Sequence, residues 1–538
     1  MSPVGRLTDP LLLRRARLVA VDGPAPAHEV DILVRDGVVA QVAPRIDGGL
    51  AVGSAPEMLD LQGRWLIPGL WDQHVHLGQW VLRSARLDLG GVHGVDEACA
   101  AVRERLVATS QAPVVAWGHR PATWPEQPTV ADLDAVNDVV PIVLIAGDGH
   151  HGWLNTPALA LLGLPARTGV VAEAEWFDSY PRLAEVGLGG DSSPVAYRLA
   201  MEQLARVGVV GVVDLEFGSP VDAWAERAEA GADLLKVRTG AYPDFLDDYL
   251  AAGLRTGTPM PGCGPRQTFS VLKIISDGSL NTGTAWCCDP YPAGAGAGAG
   301  AGGAGAGAGA VAGRGAEPLN YGAPNYTVAE LDELVSRAVR HGVEVSTHAI
   351  GDAAVAQALD VHERWSAPGS IEHAQLVRHA DLPRLARLGL RASVQPAHLL
   401  DDRDPTEQNW PDRTERCFAL RWMVDAGVRL ALGSDAPVAP LDPWLAMAAA
   451  IHRSADERDP WHAEQSLTAA EALAASVDGQ GTVRVGAPGD LVALDDSPFL
   501  AQATGSTVEP SSADQAAHLR AMRSALTVID GRVAHTSL

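Results

Sequence analysis

The stretch that decides the fold is FSVLKIISDG, residues 269–278, in which an apolar run ends in the polar sequence Ser-Asp-Gly. Continuous apolar runs of this kind are buried on both faces, as in the parallel sheets of α/β proteins. Segments rich in Ala, Leu and Arg at helical spacing alternate with such runs, so the sequence predicts an α/β fold, a (β/α)8 TIM-like barrel. The similar runs are GVVGVVDLEF (208–217), ADLLKVRTGAY (232–242), GVEVSTHAIGD (342–352), GSIEHAQ (369–375), LRASVQP (390–396) and VRLALGSDAP (428–437).

The polar residues of these runs come at the carboxyl ends of the predicted strands. A barrel of this type carries its chemistry at that end, on the loops that follow the strands. We therefore expect the functional residues to converge there.

Both ends of the chain have a different character, with short apolar runs broken by turn residues. Examples are ARLVAVDG (16–23) and EVDILVRDGVVAQVAP (29–44) near the start, and GDLVALDDSP (489–498) and SALTVIDGRVAHTSL (524–538) near the end. Such runs are typical of β-hairpins. We predict a small composite β-sandwich domain of residues 1–66 plus 484–538, around a barrel of residues 67–483.

Two stretches interrupt the barrel pattern. Residues of about 110 to 190 contain strands of their own, PVVAWGHR and PIVLIAGDGHHGWLN. Three barrel strands would not need the nearly 200 residues that separate His76 from Lys273. We expect an insertion subdomain there that overhangs the active site. Residues 293–315 alternate Gly and Ala, which offers little side-chain burial, so a mobile loop is expected.

The charge balance excludes two classes of partner. With 66 acidic and 41 basic residues, the formal net charge is −25, which repels nucleic acid and anionic membranes. The expected partner is a small-molecule substrate, with no nucleic acid and no membrane. The oligomeric state stays open, with a homo-oligomer among the alternatives.

Cysteine usage favours a reducing compartment. Five scattered cysteines do not suit a disulfide framework, and the first residues lack the long apolar core of a signal peptide. The expected location is the cytoplasm. The cysteines are Cys99, Cys263, Cys287, Cys288 and Cys417.

The segment PGLWDQHVHLGQW, residues 68–80, carries the first chemical signal. His74 and His76 stand two apart at the end of an apolar run. Because that spacing on a strand points both side chains to the same face, one cation can bind both imidazoles. Structural histidines are an alternative for this pair taken alone.

Four later strand ends add Lys273, His348, His373 and Asp435. A lysine among valine, leucine and isoleucine is costly to bury as an ammonium ion. Carbamylation by carbon dioxide would convert it into an anionic ligand, whereas an ion-paired structural lysine is the alternative. The ordered set of histidines, lysine and aspartate at strand ends predicts a metal centre.

On its motifs, the chain resembles the amidohydrolase superfamily, specifically its YtcJ-like branch, the amidohydrolase family 3 group. The resemblance covers nearly the whole chain and is specific for the family but not for the substrate. The motifs are PGLWDQHVHL (68–77), LDAVNDVVPIVLIAGDGHHGWLNTPAL (133–159), LKIISDGSLNTGTA (272–285), STHAIGDAAV (346–355), IEHAQLV (371–377), LGSDAPVAPLDPW (432–444), LTAAEAL (467–473) and GDLVALDDSPF (489–499).

The resemblance implies two divalent metals, with zinc favoured and iron, manganese or cobalt as alternatives. His74, His76 and Asp435 would bind the first metal, His348 and His373 the second, and carbamylated Lys273 would bridge them. Asp435 and Lys273 would be the catalytic residues, and Asp435 would move the proton of a metal-activated water to the leaving nitrogen. The implied enzyme is a hydrolase of carbon–nitrogen bonds other than peptide bonds, acting on an amide or formamide-type bond.

Four further residues are candidates for contacts with the substrate: His151, Trp153, Asn155 and Asp277. The first three stand in the predicted insertion, where turn and capping roles are an equal alternative. Asp277 follows Lys273 and could orient that lysine or the substrate.

Two other functions stay open. A hydrolase of the same fold could act on cyclic amides, amidines or esters, since the metal ligands do not distinguish these bonds. A non-catalytic member would use the barrel to bind a ligand, and its expected mark is loss of a metal ligand such as Asp435, which this chain retains.

Overall fold

The computed structural model describes residues 10–47, 56–84, 86–110, 112–119, 121, 124–146, 151–180, 182–218, 220–292, 319–506 and 508–538. The Gly/Ala-rich segment predicted to be a mobile loop, residues 293–315, lies outside the described residues. The chain divides into two compact units, one made of residues 1–77 and 201–538 and the other of residues 78–200. The sequence prediction put the insertion at about 110 to 190 instead.

The strands of the described residues are, in chain order, β1 (Leu11–Leu18), β2 (Val30–Arg35), β3 (Val38–Ala43), β4 (Glu57–Asp60), β5 (Trp65–Pro68), β6 (Leu70–Val75), β7 (Leu87–Asp88), β8 (Val114–His119), β9 (Ile142–Ala146), β10 (His151–Leu154), β11 (Val171–Ala172), β12 (Val209–Asp214), β13 (Lys236–Ala241), β14 (Gln267–Ile275), β15 (Glu344–Ala349), β16 (Gly369–His373), β17 (Arg391–Val394), β18 (Arg429–Leu432), β19 (Leu491–Leu494), β20 (Ser524–Ile529) and β21 (Arg532–Thr536).

The α-helices of the same residues are α1 (Leu77–Ser84), α2 (Val95–Ala108), α3 (Val130–Asp134), α4 (Thr156–Leu161), α5 (Glu173–Ser179), α6 (Arg182–Glu185), α7 (Pro194–Arg206), α8 (Ala223–Glu229), α9 (Leu246–Ala251), α10 (Val328–Arg340), α11 (Asp352–Trp365), α12 (Leu382–Arg387), α13 (Leu399–Asn409), α14 (Leu420–Asp425), α15 (Pro443–His452), α16 (Ala469–Ala475), α17 (Leu500–Thr504) and α18 (Ser512–Arg520). Among the described residues, no helix combines the length and apolar character that crossing a membrane requires.

The barrel is an eight-stranded parallel sheet in the order β6, β12, β13, β14, β15, β16, β17 and β18. Its strands are buried along most of their length, as in β6 and β12, where every residue is buried. Helices follow several strands, for example α11 after β15 and α15 after β18. The α/β TIM-like fold predicted from the apolar runs is confirmed.

The first and last barrel strands meet at their carboxyl ends. The Asp435 N–H donates to the His74 carbonyl over 2.7 Å, and the His76 N–H donates to the Ala436 carbonyl over 2.8 Å. A side chain at Gly433 would place its Cβ 2.8 Å from the His74 backbone nitrogen, so only glycine permits this approach. The closure brings Asp435 next to the two histidines of β6.

Helix α10 shows how the local sequence sets an element. Thr327 and Glu330 form a capping box, in which each side chain binds the backbone of the other residue. Leu331, Val335 and Ala338 then form a buried stripe at the spacing of a helix. The helix is therefore fixed by its cap and by its apolar face.

Strands from both ends of the chain share a second eight-stranded sheet. Its order is β21, β20, β19, β5, β1, β2 and β3, and β4 pairs with β1. The antiparallel pair β5 and β19 joins the two parts. One hydrophobic core contains Leu11, Leu13 and Ile32 from the first part and Leu491 and Leu526 from the second, because neither set of short strands can bury its apolar face alone.

The unit of residues 78–200 contains a five-stranded sheet in the order β11, β10, β9, β8 and β7. Strand β9 is buried at every residue. Its apolar side chains divide between two hydrophobic clusters, with Ile142 and Leu144 in one and Val143 and Ile145 in the other. The alternation of side chains along a strand explains this division.

Candidate metal centre

The six side chains predicted as metal ligands come from the carboxyl halves of five barrel strands or the residues just after them. His74 lies in β6 with His76 next to its end, Lys273 in β14 and His348 in β15. His373 is the last residue of β16, and Asp435 follows β18. His74, His76, Lys273, His373 and Asp435 are buried, and the His348 side chain is 14% exposed.

The tightest group consists of His74, His373 and Asp435, whose ligand-type atoms all lie within 4.8 Å of one another. The Asp435 Oδ1 atom lies 3.4 Å from His74 Nε2 and 3.2 Å from His76 Nε2. One carboxylate oxygen thus faces two imidazole nitrogens from a single strand.

His348 and Lys273 adjoin this group. The ring centroids of His348 and His373 are 4.5 Å apart, and Lys273 Nζ lies 3.5 Å from His74 Nε2. Each predicted ligand therefore neighbours another. The tight group combines His74 and His373, although the family resemblance assigns these two histidines to different metals.

The backbone is unusual at two of these residues. His373 has φ of 67° and Asp435 has φ of 56°, a left-handed conformation that costs non-glycine residues about 1–3 kcal/mol. His373 is the last residue of β16, and Asp435 lies three residues after β18 ends. Strained backbone of this kind concentrates at functional sites, where the surrounding packing maintains it.

Burial disfavours the charged form of His74, His348 and His373. Loss of solvent lowers the pKa of His74, and the adjacent Lys273 lowers it further. Burial likewise lowers the pKa of His348 to about 3 and that of His373 well below its ordinary value. Neutral imidazoles are the form that binds metals.

Burial acts in the same direction on Lys273. Its pKa is lowered because the ammonium form loses its hydration, while Glu372 and Asp435 offset part of this effect. The lysine is thereby shifted toward the neutral amine, which is the nucleophilic form.

The two carboxylates beside the histidines stay charged. Burial alone would raise the pKa of Asp435, but His74, His76 and His373 bring it well below its ordinary value. Burial would also raise the pKa of Glu372, but the hydrogen bond to His74 and the charge of Lys273 hold it below the usual range. Two anionic carboxylates therefore lie beside the imidazole rings.

This donor set fits a divalent metal. Asp435 Oδ1 is buried and accepts no hydrogen bond from the residues that the structure describes, which is costly for an ionised oxygen. Imidazole nitrogens and carboxylate oxygens at this separation are typical ligands of zinc and related ions. A bound cation would satisfy the oxygen.

Glu372 was missed by the sequence analysis. Its Oε2 atom lies 2.7 Å from His74 Nδ1, and its Oε1 atom accepts hydrogen bonds from Ser346 and Ser370. Neighbouring residues on a strand normally point to opposite faces, so His373 and Glu372 would not be assigned to one site. Because His373 has a left-handed φ, its side chain does not follow the usual alternation, and both residues can contribute to one site.

Asp72 was also missed. Its Oδ1 atom accepts hydrogen bonds from the backbone N–H groups of His74 and Ser434, at 3.1 Å and 3.0 Å. Burial raises its pKa to about 6. The carboxyl group ties β6 to the segment before Asp435. Its place two residues before His74 was the available signal, since such residues share a strand face.

His398 is a third addition, and it stands just after β17 and the run LRASVQP. Its Nε2 atom lies 3.9 Å from Asp435 Oδ2, and its Nδ1 atom lies 3.8 Å from Asp402 Oδ2. Asn281 and Gln375 donate hydrogen bonds to the Asp402 carboxylate. The sequence signal was a histidine after a predicted barrel strand.

Asp277, predicted to orient Lys273 or the substrate, accepts hydrogen bonds from the backbone, and its predicted role stays a prediction. Its two oxygens accept hydrogen bonds from the N–H groups of Trp286, Ile350 and Gly351 at 2.9–3.1 Å. Its Oδ1 atom also lies 3.5 Å from His348 Nε2. Burial raises its pKa to about 7. This geometry positions the segment that follows His348.

The three other candidate substrate residues lie in the unit of residues 78–200. Asn155 caps α4, and its amide group accepts hydrogen bonds from Ile142 and Ala158 and donates to two carbonyls, so all its hydrogen-bonding positions are used. Trp153 is fully buried and donates to the Thr129 carbonyl. Structural roles account for both residues. A substrate contact of His151 stays a prediction.

Comparison with known proteins places these observations in a family. The model of the amidohydrolase family matches residues 57–535. This range includes all six predicted ligands and the barrel that carries them.

Two named relatives match this chain along most of their own length. The putative amidohydrolase YtcJ of Bacillus subtilis (strain 168) is 24% identical over 525 residues, which cover 89% of this chain and 90% of YtcJ. The N-substituted formamide deformylase of Arthrobacter pascens is 24% identical over 543 residues, which cover 91% of this chain and 94% of that enzyme. The resemblance to the YtcJ-like branch is confirmed.

One solved structure extends the likeness to the fold. An uncharacterized metal-dependent hydrolase from Pyrococcus horikoshii OT3 superposes with a TM-score of 0.70 at 24% identity, covering 92% of this chain and 99% of that one. At this identity the match supports the fold and not the substrate.

Proposed function

The chain belongs to the amidohydrolase family, and on that premise we propose that it hydrolyses an amide or formamide-type C–N bond other than a peptide bond. The relative from Arthrobacter pascens is named for the hydrolysis of N-substituted formamides. Its match along nearly the whole chain supports the same bond class here.

One observation carries the proposal. A buried carboxylate oxygen, Asp435 Oδ1, faces the imidazole nitrogens of His74 and His76 and forms no hydrogen bond with the described residues. A structural role would leave that charge uncompensated. A metal-dependent role gives it a partner.

We assign His74, His76 and Asp435 to one divalent metal, His348 and His373 to a second, and carbamylated Lys273 to both. When bound, such metals polarise a carbonyl group and make water a better nucleophile near neutral pH. Zinc suits nitrogen and oxygen donors of this kind, and iron, manganese or cobalt could replace it.

Asp435 moves the proton in this proposal. Its Oδ1 atom faces the imidazole nitrogens, whereas Oδ2 is the oxygen directed toward His398. Oδ2 therefore accepts the proton of the attacking water and returns it to the leaving nitrogen. The depressed pKa of Asp435 keeps the carboxylate ionised, so that Oδ2 has an electron pair for this proton.

Lys273 supplies the bridging anion. Its neutral Nζ forms a bond to the carbon of carbon dioxide and loses one proton, which gives a carbamate with one negative charge. The lowered pKa of the buried lysine supports this reaction, because the ammonium ion has no free electron pair.

A reducing compartment such as the cytoplasm is proposed with this function. All five cysteines are free thiols in the structure, as expected where disulfides do not form.

The experiment is a substrate screen with the metal content measured on the same sample. Purified protein supplied with zinc, manganese or cobalt is assayed against N-formyl and N-acyl amines, with cyclic amides and esters in parallel. We expect about two metal ions per chain and turnover of the open-chain amides. Turnover of cyclic amides or esters alone would reject the bond class, and metal content near zero would reject the metal centre.

The carbamate has a test of its own. Native protein equilibrated with ¹³C-labelled bicarbonate should show one carbamate carbon by NMR, and Lys273→Ala should abolish that signal. A signal that persists in the variant would reject the assignment to Lys273.

A further inference from the structure

Phe217 is an exposed aromatic residue next to the proposed metal ligands. It follows β12, and 51% of its surface is exposed. Its ring stacks on that of His76, with centroids 4.8 Å apart and planes at 11°. A single exposed apolar side chain is ordinary, but this ring is held by stacking against a proposed metal ligand, where a substrate can contact it.

Tyr242, which follows the neighbouring strand β13, supports the Phe217 ring. The two ring centroids are 5.0 Å apart at 29°, and the Tyr242 hydroxyl donates to the Leu215 carbonyl over 2.9 Å. The segments that follow β6, β12 and β13 thus hold a stack of three rings, His76, Phe217 and Tyr242. The stack fixes Phe217 in one place, which lowers the entropic cost of binding against it.

His76 connects the aromatic stack to the carboxylate beside which the substrate bond would react. His76 contacts Phe217 through its ring and approaches Asp435 Oδ1 to 3.2 Å through Nε2. A substrate bond that reacts beside Asp435 therefore has a substituent within reach of Phe217. Val438, whose backbone N–H donates to the Asp435 carbonyl, is 61% exposed and adds a second apolar side chain near the centre.

The nearby carboxylates add a second constraint. Asp214 ends β12 and Glu216 precedes Phe217, and the Glu216 side chain accepts a hydrogen bond from the Phe217 N–H. Asp435 lies beyond His76. A negatively charged substituent on this side would be repelled by these groups.

We propose that Phe217, held by His76 and Tyr242, is a specificity-determining residue that binds an uncharged aromatic or bulky apolar substituent of the amide substrate. This inference rests on the proposed amide hydrolysis. Aromatic contact at the ring adds affinity for such substrates over small ones, since aromatic pairs prefer edge and offset contacts at this range.

The test compares matched pairs of compounds. N-(2-phenylethyl)formamide is compared with N-ethylformamide, and 3-phenylpropanamide with propanamide, so that the ring is on the nitrogen side in one pair and on the acyl side in the other. Binding is measured by calorimetry with metal-depleted protein, and kcat/KM with metal-loaded protein. We expect one phenyl compound to be favoured by about 10- to 30-fold in both measurements.

Three variants identify the residue. Phe217→Ala should remove most of the phenyl preference, measured as the ratio of kcat/KM for the phenyl compound to kcat/KM for its small counterpart. Phe217→Tyr keeps the stacked ring and should retain the preference. Met58→Ala, which removes another exposed apolar side chain from the terminal sheet, should leave both values unchanged.

The outcomes separate this inference from the proposed function. Equal binding of phenyl and small compounds by the wild-type protein, or a preference unchanged in Phe217→Ala, would overturn the role of Phe217 even if amides are hydrolysed. Absence of turnover with a phenyl preference in calorimetry would overturn the function but support the binding site. Tighter binding of 4-[2-(formylamino)ethyl]benzoate than of its neutral parent would refute the preference for uncharged substituents.

Discussion

The two lysines of the chain, Lys236 and Lys273, stand on neighbouring barrel strands in opposite environments. Lys236 begins β13, and its Nζ atom lies 2.6 Å from Asp490 Oδ2 and 2.8 Å from Asp530 Oδ1. Lys273 lies within β14, and its Nζ atom lies 3.5 Å from His74 Nε2. One lysine is paired with carboxylates and the other lies among proposed metal ligands.

The pKa values of the two lysines shift in opposite directions because only Lys236 is paired with carboxylates. Burial alone would lower the pKa of Lys236, but Asp490 and Asp530 raise it above its ordinary value. Burial lowers the pKa of Lys273, and the more distant Glu372 and Asp435 do not compensate. Proximity to a carboxylate decides whether a buried lysine stays charged.

The pairing extends across the amino end of the barrel. Arg266 lies 3.0 Å from Asp530 and 3.5 Å from Asp233, which is also 3.2 Å from Arg532. A cavity of about 1150 Å³ lies at this end, and Lys236, Asp233, Arg266 and Asp530 are among its lining residues. Since these charges satisfy one another, the cavity indicates no ligand.

At the carboxyl end, by contrast, Asp435 Oδ1 and His398 Nε2 are buried without hydrogen-bond partners among the described residues. Charged residues at the amino and carboxyl ends of the barrel therefore have different roles. The ion pairs at the amino end stabilise the fold, whereas the unsatisfied Asp435 oxygen at the carboxyl end lies among the proposed metal ligands.

The largest expected effect is that of Asp435→Asn on turnover. An amide side chain cannot accept the proton, so kcat/KM should fall by about 10³-fold or more. Asp530→Asn at the opposite end serves as the control and should retain activity. Steady-state kinetics measure the activity of both variants, and melting curves show whether they are folded. Near-normal turnover in Asp435→Asn would contradict the assignment of function to the carboxyl end of the barrel.

Lys273→Ala should lower kcat/KM by about 10²-fold and reduce metal retention, because both cations lose a shared anionic ligand. Added propionate should partly restore both properties. Metal content and kinetics with and without propionate provide the measurement. A variant with two metals and normal turnover would show that Lys273 is not a bridge.

Glu372→Gln should have a smaller effect. The glutamine can keep a contact with His74 but carries no charge to raise the basicity of the ring, so metal affinity should fall by about 10- to 100-fold. Competition with a chelator measures the change. Ser370→Ala, which removes one hydrogen bond to Glu372, should give a weaker effect in the same direction. Unchanged affinity in Glu372→Gln would exclude Glu372 from the metal centre.

Lys236→Ala should leave activity nearly unchanged and lower stability instead. It would leave Asp490, which is 2% exposed, without its cation, at a cost of about 2–4 kcal/mol. We expect a melting temperature lower by several degrees and kcat/KM per folded molecule within about twofold of wild type. Loss of turnover without loss of stability would contradict a purely structural role for the amino end of the barrel.

The convergence of the candidate metal ligands could be predicted from the sequence. Apolar runs that end in polar residues defined the strands, and parallel strands bring their carboxyl ends together, so His74, His348, His373 and Asp435 had to converge once the barrel formed. Lys273 was identified because a lysine among apolar residues needs a special reason. These conclusions depend on local pattern alone.

Other features required the tertiary structure. Glu372 shares the site with His373 only because of a left-handed residue, and Phe217 acquires its place by stacking on rings from two other strands. Trp153 and Asn155 stand in a motif that suggested substrate contacts, yet their own unit accounts for their packing and hydrogen bonds. Sequence periodicity determines which face of a strand a side chain takes. It does not determine which distant side chains meet there, because that depends on backbone φ angles and on packing between strands far apart in the chain.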